Sequence, residues 1–199
     1  MLAIFLAPIY ILLNIYVLRW GYLWIGNCHH LFQSRIFRII LTVIYTLIAL
    51  TPLTGFLIRK PAFLHRILKI TSNYFLGIFM YILMVLFSID VVRLILKYAV
   101  HASWIQSRIV FAAVGACCIC IVIIISFSGI YHAKHIKVTP YKITVDKSAP
   151  DMDSLKIVLL ADTHFGYNSG AVHAQEIVDK INEQQPDLVC IAGDIFDNE

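Results

Sequence analysis

Four side chains near the end of the chain have the types and spacing to hold a metal ion. Asp162 and His164 follow the apolar run Ile157-Val158-Leu159-Leu160, and Asp194 and Asp197 follow a second one, Leu188-Val189-Cys190-Ile191-Ala192. Carboxylates and imidazole together suit Mn, Fe or Zn, and a carboxylate can bridge two ions. Gly193, just before the first acid of the second set, fits a backbone that must turn tightly or approach a ligand closely. Taken singly these signals are ordinary. An Asp-x-His after a strand is more often a turn acid and a surface histidine, and Gly-Asp is a common turn. Their order and the elements that carry them are what make them specific.

Both apolar runs are short and continuous, the pattern of strands buried on both faces of a sheet. Between them Ala174, Ile177, Val178 and Ile181 recur at i, i+3, i+4, i+7, which predicts an amphipathic helix over residues 171–184. Pro186-Asp187 stops it. Strand, helix and strand over this length make a βαβ unit with parallel strands and a right-handed crossover. Such a unit puts the C-terminal ends of both strands on one edge of the sheet, where open α/β sheets bind ligands. Two sets of residues about thirty positions apart are thereby brought together. His173 lies on the helix, expected to pack on the sheet face, and is not read as a ligand.

The rest of the chain reads as membrane. The 199 residues are 60% hydrophobic and 14% charged, with a mean hydropathy of +0.80. Soluble domains are nearer a quarter charged. Charge is also divided along the chain. Residues 1–145 hold thirteen Lys or Arg and one acid, Asp90, whereas residues 146–199 hold eleven acids and three Lys. The basic residues sit between apolar runs, which suits lipid headgroups and argues against nucleic acid as a partner. Four runs, near residues 2–18, 39–58, 70–89 and 109–130, are each about the ~20 residues that a ~30 Å hydrocarbon core requires. The first lacks the basic start and cleavage site of a signal peptide, so it is read as a retained span. Trp20, Tyr22 and Trp24 behind it suit an interfacial aromatic belt. Pro52 and Gly55 place a kink in the second.

Asp90 and Arg93, at i, i+3 spacing at the end of the third run, read as a solvated interfacial pair. Cys28, His29 and His30 read as an ordinary loop, and His132 and His135 as part of a basic flank. Cys117, Cys118 and Cys120 lie inside an apolar run, where thiols act as small hydrophobes. With Cys28 and Cys190 they make neither a disulfide framework nor a zinc pattern. Residues 136–145 alternate, predicting short strands broken at Pro140, and Ser148-Ala149-Pro150-Asp151 reads as a linker. Positive-inside counting favours a cytoplasmic tail, eight basic residues against six, whereas Arg19 after the first span favours the reverse.

The segments Leu155-Lys156-Ile157-Val158-Leu159-Leu160-Ala161-Asp162-Thr163-His164 and Pro186-Asp187-Leu188-Val189-Cys190-Ile191-Ala192-Gly193-Asp194-Ile195-Phe196-Asp197 resemble the first two motifs, DxH and GDxxD, of the calcineurin-like metallophosphoesterases, in particular the membrane-anchored bacterial-type members. The resemblance covers about the last fifty residues. It implies two divalent ions, with Asp162 and His164 ligating one, Asp194 bridging both and Asp197 a supporting acid. Asn198 stands where many relatives have Arg, so no phosphate contact is carried over to that position. The family's later motifs, including the catalytic residues, would lie beyond Glu199.

The expected fold is a four-helix transmembrane bundle (1–131), juxtamembrane strands and linker (132–155), and the first βαβ portion of an incomplete α/β metallophosphoesterase sandwich (156–199). The expected protein is a multi-pass cell-membrane phosphoesterase, present as a fragment inactive alone. A lipid-linked or cell-envelope phosphoester is the substrate that such anchoring implies. The alternative is a non-enzymatic multi-pass protein with a degenerate appendage. An in-frame Gly-Asn-His motif coded soon after Glu199 would separate the two.

Overall fold

The computed structural model describes residues 2–28, 30–146, 153–167 and 170–196. The chain divides into two units, Met1–Ser128 and Gly129–Glu199. Among the described residues the fold is mostly helical, with four helical segments long and apolar enough to cross a membrane and one two-stranded parallel sheet.

The helices that begin in the first unit are α1 (Leu2–Cys28), α2 (Arg35–Ala49), α3 (Thr51–Leu57), α4 (Ala62–Tyr98) and α5 (Arg108–Lys134). Helical turns at His30–Gln33 and Ser103–Gln106 lie before α2 and α5. Helices α1, α4 and α5 are longer than the apolar runs that predict them, because a helix continues into water while its backbone bonds are satisfied within itself. The second run breaks at Leu50 into α2 and α3. Pro52 has no N–H to donate back to the Ile48 carbonyl. The Thr51 hydroxyl donates to that oxygen instead, at 2.7 Å, so the Ile48 carbonyl is not left an orphan in an apolar setting.

The core of this unit joins α1, α4 and α5. Trp20, Leu86 and Cys118 are buried together, with Tyr16, Trp24, Ile82 and Phe111 packed around them. The Trp20 and Phe111 rings stack at 5.1 Å. The Trp24 indole N–H donates to the Ala112 carbonyl at 2.9 Å. It lies directly over Gly115, where a Cβ would fall inside the indole. The aromatic-belt expectation is therefore corrected for Trp20 and Trp24. α1 runs on through them as helix, and i, i+4 spacing turns both onto α5. Tyr22 bonds to the Arg38 carbonyl and the Thr42 hydroxyl of α2.

The expected i, i+3 pair of Asp90 with Arg93 is present, both side chains about a third exposed. The structure adds a role that the spacing does not show, because the carboxylate is also an interhelical acceptor. Tyr16 Oη donates to it at 2.7 Å and Trp20 Nε1 at 3.1 Å, both from α1. Arg93 stands 3.8 Å away, its guanidinium 4.6 Å over the Phe111 ring of α5. Helical spacing reveals the i, i+3 partner, whereas the α1 donors, seventy residues away, meet Asp90 only through packing. A second polar tie joins α1 to α2, where Tyr45 Oη donates to Asn14 Oδ1 at 2.8 Å and Tyr10 Oη to the Ala49 carbonyl at 2.6 Å.

In the second unit β1 (Ile157–Leu160), α6 (Ala171–Glu183) and β2 (Leu188–Ile191) form the expected strand, helix and strand. β1 and β2 pair in parallel, with Ile157 opposite Leu188 and Leu160 opposite Ile191. Two expectations fail here. Residues 136–145 form no strand, because a strand needs a partner for its backbone groups and none is supplied among the described residues. The strands are also not buried on both faces. Leu159 is 69% exposed and Ile191 52%, since two strands and one helix are too few layers to cover two sheet faces. The linker 148–151, His29 and Asp197 lie outside the described residues.

Candidate metal centre

The two loops that follow β1 and β2 are built in register. The ladder ends at Leu160 and Ile191, and the chains pair once more where Phe165 meets Phe196 in a parallel bridge. Every one of these pairs is offset by the same thirty-one positions, so each chain leaves the sheet for four residues and rejoins it. Leu160 C=O accepts from Ala192 N–H at 2.8 Å where they part. His164 N–H donates to the Asp194 carbonyl at 3.0 Å and Phe165 N–H to the Ile195 carbonyl at 2.8 Å where they close. The Thr163 hydroxyl adds a bond to the Ile195 carbonyl at 3.1 Å.

Within this frame Asp162, His164 and Asp194 come together, each offering a ligating atom within 4.8 Å of the others, and all three are exposed. Their backbones share an uncommon conformation. Asp162 (φ 53°), His164 (φ 43°) and Asp194 (φ 46°) are left-handed, and Gly193 between β2 and Asp194 has φ 84°. A non-glycine residue there carries strain of order 1 kcal/mol or more, and such residues concentrate at sites where geometry serves function. The closing backbone bonds are what hold them so. The alternation of left-handed turns bends each loop sharply enough to bring both carboxylates and the imidazole to one point.

The electrostatics favour a cation. Two carboxylates at about this separation repel by about 1 kcal/mol even in water. A divalent ion with mixed oxygen and nitrogen preference converts that repulsion into attraction, and the donor set of two carboxylates and one imidazole fits Mn, Fe or Zn. Among the described residues no further His, Cys, Asp or Glu joins the cluster. His173 does not; it faces Glu176 on its own helix at 3.4 Å. The five cysteines are unpaired with one another.

The residues that close the site carry no sign in the local pattern. Asp187, which reads as a helix stop, accepts from Lys156 N–H through Oδ2 at 2.8 Å and donates its own N–H to the Lys156 carbonyl at 2.8 Å, starting the ladder. Thr163 and the Phe165–Phe196 bridge were likewise legible only as spacing: each stands one residue beyond, or two beyond, a candidate ligand.

Comparison with known proteins gives partial matches. The chain is 40% identical over 63 residues to a transmembrane protein with a metallophosphoesterase domain from Danio rerio, a match covering 32% of this chain and 14% of that protein. The Bos taurus protein of the same description is 40% identical over 62 residues, 31% of this chain and 14% of its own length. An uncharacterised metallophosphoesterase of Campylobacter jejuni is 40% identical over 60 residues, 30% and 16% respectively. The matched stretch is thus about one seventh of the length of the vertebrate relatives. No family model matches the chain, and no solved structure does.

Proposed function

We propose that the chain is part of a membrane-anchored, metal-dependent phosphoesterase of the calcineurin-like family, hydrolysing phosphomonoester or phosphodiester bonds. Residues 1–131 act as the anchor, 132–155 as the connection, and 156–199 as the contributor of the first metal ligands. The observation that carries this reading is the meeting of Asp162, His164 and Asp194 at the ends of two parallel strands. The partial likeness to transmembrane proteins with a metallophosphoesterase domain agrees with it.

Asp162 and His164 would hold one ion, and Asp194, reaching from the other loop, would stand between two. Divalent ions bound there supply Lewis-acid polarisation of a phosphoryl group and a nucleophile at neutral pH. The chain's own contribution is preorganisation. The backbone bonds across the loops fix the three donors before any ligand arrives, and the left-handed Gly193 aims Asp194 at the other two. Their exposure leaves the site open to a bulky phosphoester. Asp197 is proposed as a supporting acid. The multi-pass anchor keeps the site close to a cell membrane, which favours a lipid-linked or cell-envelope substrate.

Three donors do not complete a two-ion centre. The 199-residue chain alone should therefore bind Mn²⁺ yet turn over no phosphoester. Titration in detergent followed by Mn²⁺ electron paramagnetic resonance should show saturable binding, weakened at least about ten-fold by Asp162→Ala, His164→Ala or Asp194→Ala. Absence of saturable binding would sink the metal-site reading. Hydrolysis of bis(p-nitrophenyl) phosphate that Asp194→Ala abolishes would instead show that three donors suffice.

A further inference from the structure

A second charged feature lies at the corner between α3 and α4, and it is independent of the phosphoesterase reading. Arg59 and Lys60 form the link, and Arg66 and Lys69 follow one turn apart on the first turns of α4. Arg59, Lys60 and Arg66 are exposed and Lys69 is half-buried. The corner is well defined. His65 Nδ1 lies 2.7 Å from the Ile58 carbonyl, and Gly55 brings α3 so close that a Cβ there would stand 3.4 Å from the Leu68 backbone.

Its depth follows from the length of α4. At 37 residues the helix is about 55 Å long, far more than a ~30 Å hydrocarbon core needs. Its uncharged stretch, residues 70–89, fills that core. Residues 62–69 then rise about 12 Å beyond it, through the headgroup layer.

The four cations also have no internal counter-charge. Asp90 is the only acid in residues 1–145. It lies twenty-one residues along α4 from Lys69, about 30 Å away, and is held by Tyr16, Trp20 and Arg93. No acid of residues 1–145 is placed to neutralise them, and lipid phosphates at a bilayer surface attract such cations.

We infer that the α3–α4 corner is a binding surface for anionic phospholipid, with Arg59, Lys60, Arg66 and Lys69 drawn to its phosphates. Arginine can take a phosphate through two N–H groups and lysine as a point charge. A zwitterionic headgroup, carrying its own cation, competes poorly for the same site.

The test is native mass spectrometry of the full chain in neutral detergent, titrated with phosphatidylglycerol or phosphatidylcholine. Phosphatidylglycerol should bind preferentially. Each neutralised cation should weaken it about five-fold, so Arg66→Gln with Lys69→Gln should weaken it about twenty-five-fold. The Arg59→Gln, Lys60→Gln pair, in the link rather than the helix, gives the same reading should the other pair fail to keep its helical circular dichroism. Arg35→Gln with Arg38→Gln, at the far end of α2, should change binding less than about two-fold. Equal losses from both ends, unchanged binding in the corner variants, or displacement of the lipid by millimolar inorganic phosphate would each overturn the assignment.

Discussion

Replacing Asp90 by alanine removes the acceptor for two donors on α1 and the partner of Arg93, and tests whether this carboxylate ties the helices together. Tyr16 Oη and Trp20 Nε1 reach it at 2.7 and 3.1 Å. Hydrogen bonds between helices in membranes contribute about 0.6 kcal/mol on average and up to about 1.7. The short Tyr16 bond and the two donors on one acceptor put each at the upper part of that range, about 1–1.5 kcal/mol. Losing both gives about 2–3 kcal/mol. The ion pair with Arg93 adds little: at 3.8 Å, with both side chains about a third exposed, it resembles a surface pair of up to about 1 kcal/mol. Asp90→Asn keeps one carbonyl acceptor and should cost about half as much as Asp90→Ala. The assay is reversible unfolding in mixed micelles, followed by helical circular dichroism and tryptophan fluorescence. A Tyr16→Phe, Asp90→Asn double-mutant cycle should return a coupling of about 1 kcal/mol. If Asp90→Ala unfolds within about 0.5 kcal/mol of the parent and the cycle shows no coupling, the acid is a solvated interfacial group and the interhelical reading fails.

Two further substitutions probe single positions. Gly115→Ala puts a methyl group where the Trp24 indole lies, so the indole must move and release the Ala112 carbonyl. The expected loss is about 1–3 kcal/mol in the same unfolding assay, smaller when Trp24→Leu is already present. Gly193→Ala forces a side chain onto a backbone at φ 84°, a strain of about 1–2 kcal/mol. Relaxing it moves Asp194, so Mn²⁺ binding should weaken by up to about ten-fold while the circular dichroism of the chain stays unchanged.

The apolar stretches and the chemistry of the loops were legible because they depend on local composition. A helix that crosses a membrane needs about twenty apolar residues whatever it packs against, so four such helices could be counted from hydropathy alone. A parallel βαβ unit places its strand ends together by topology, so two short motifs are enough to expect that Asp162, His164 and Asp194 lie close together, as they do. The misses were of the opposite kind. Trp20 and Trp24 look like belt residues because tryptophan suits interfaces, but which side of a helix faces a neighbour depends on where that neighbour lies. Residues 136–145 alternate as a strand does, yet pairing depends on a partner that periodicity does not supply.

Local pattern is enough for the membrane-like composition of residues 1–131, the strand, helix and strand that follow, and the donor types of the candidate site. Each of these follows from hydrophobic transfer, residue period or side-chain chemistry, which act over a few residues. Tertiary structure alone decided that Asp90 is held by Tyr16 and Trp20, that Gly115 makes room for Trp24, and that backbone bonds between the two loops draw three left-handed donors within 4.8 Å of one another. Those contacts join residues thirty to ninety positions apart. Such distances are closed only by packing, and local pattern carries no record of which groups will meet.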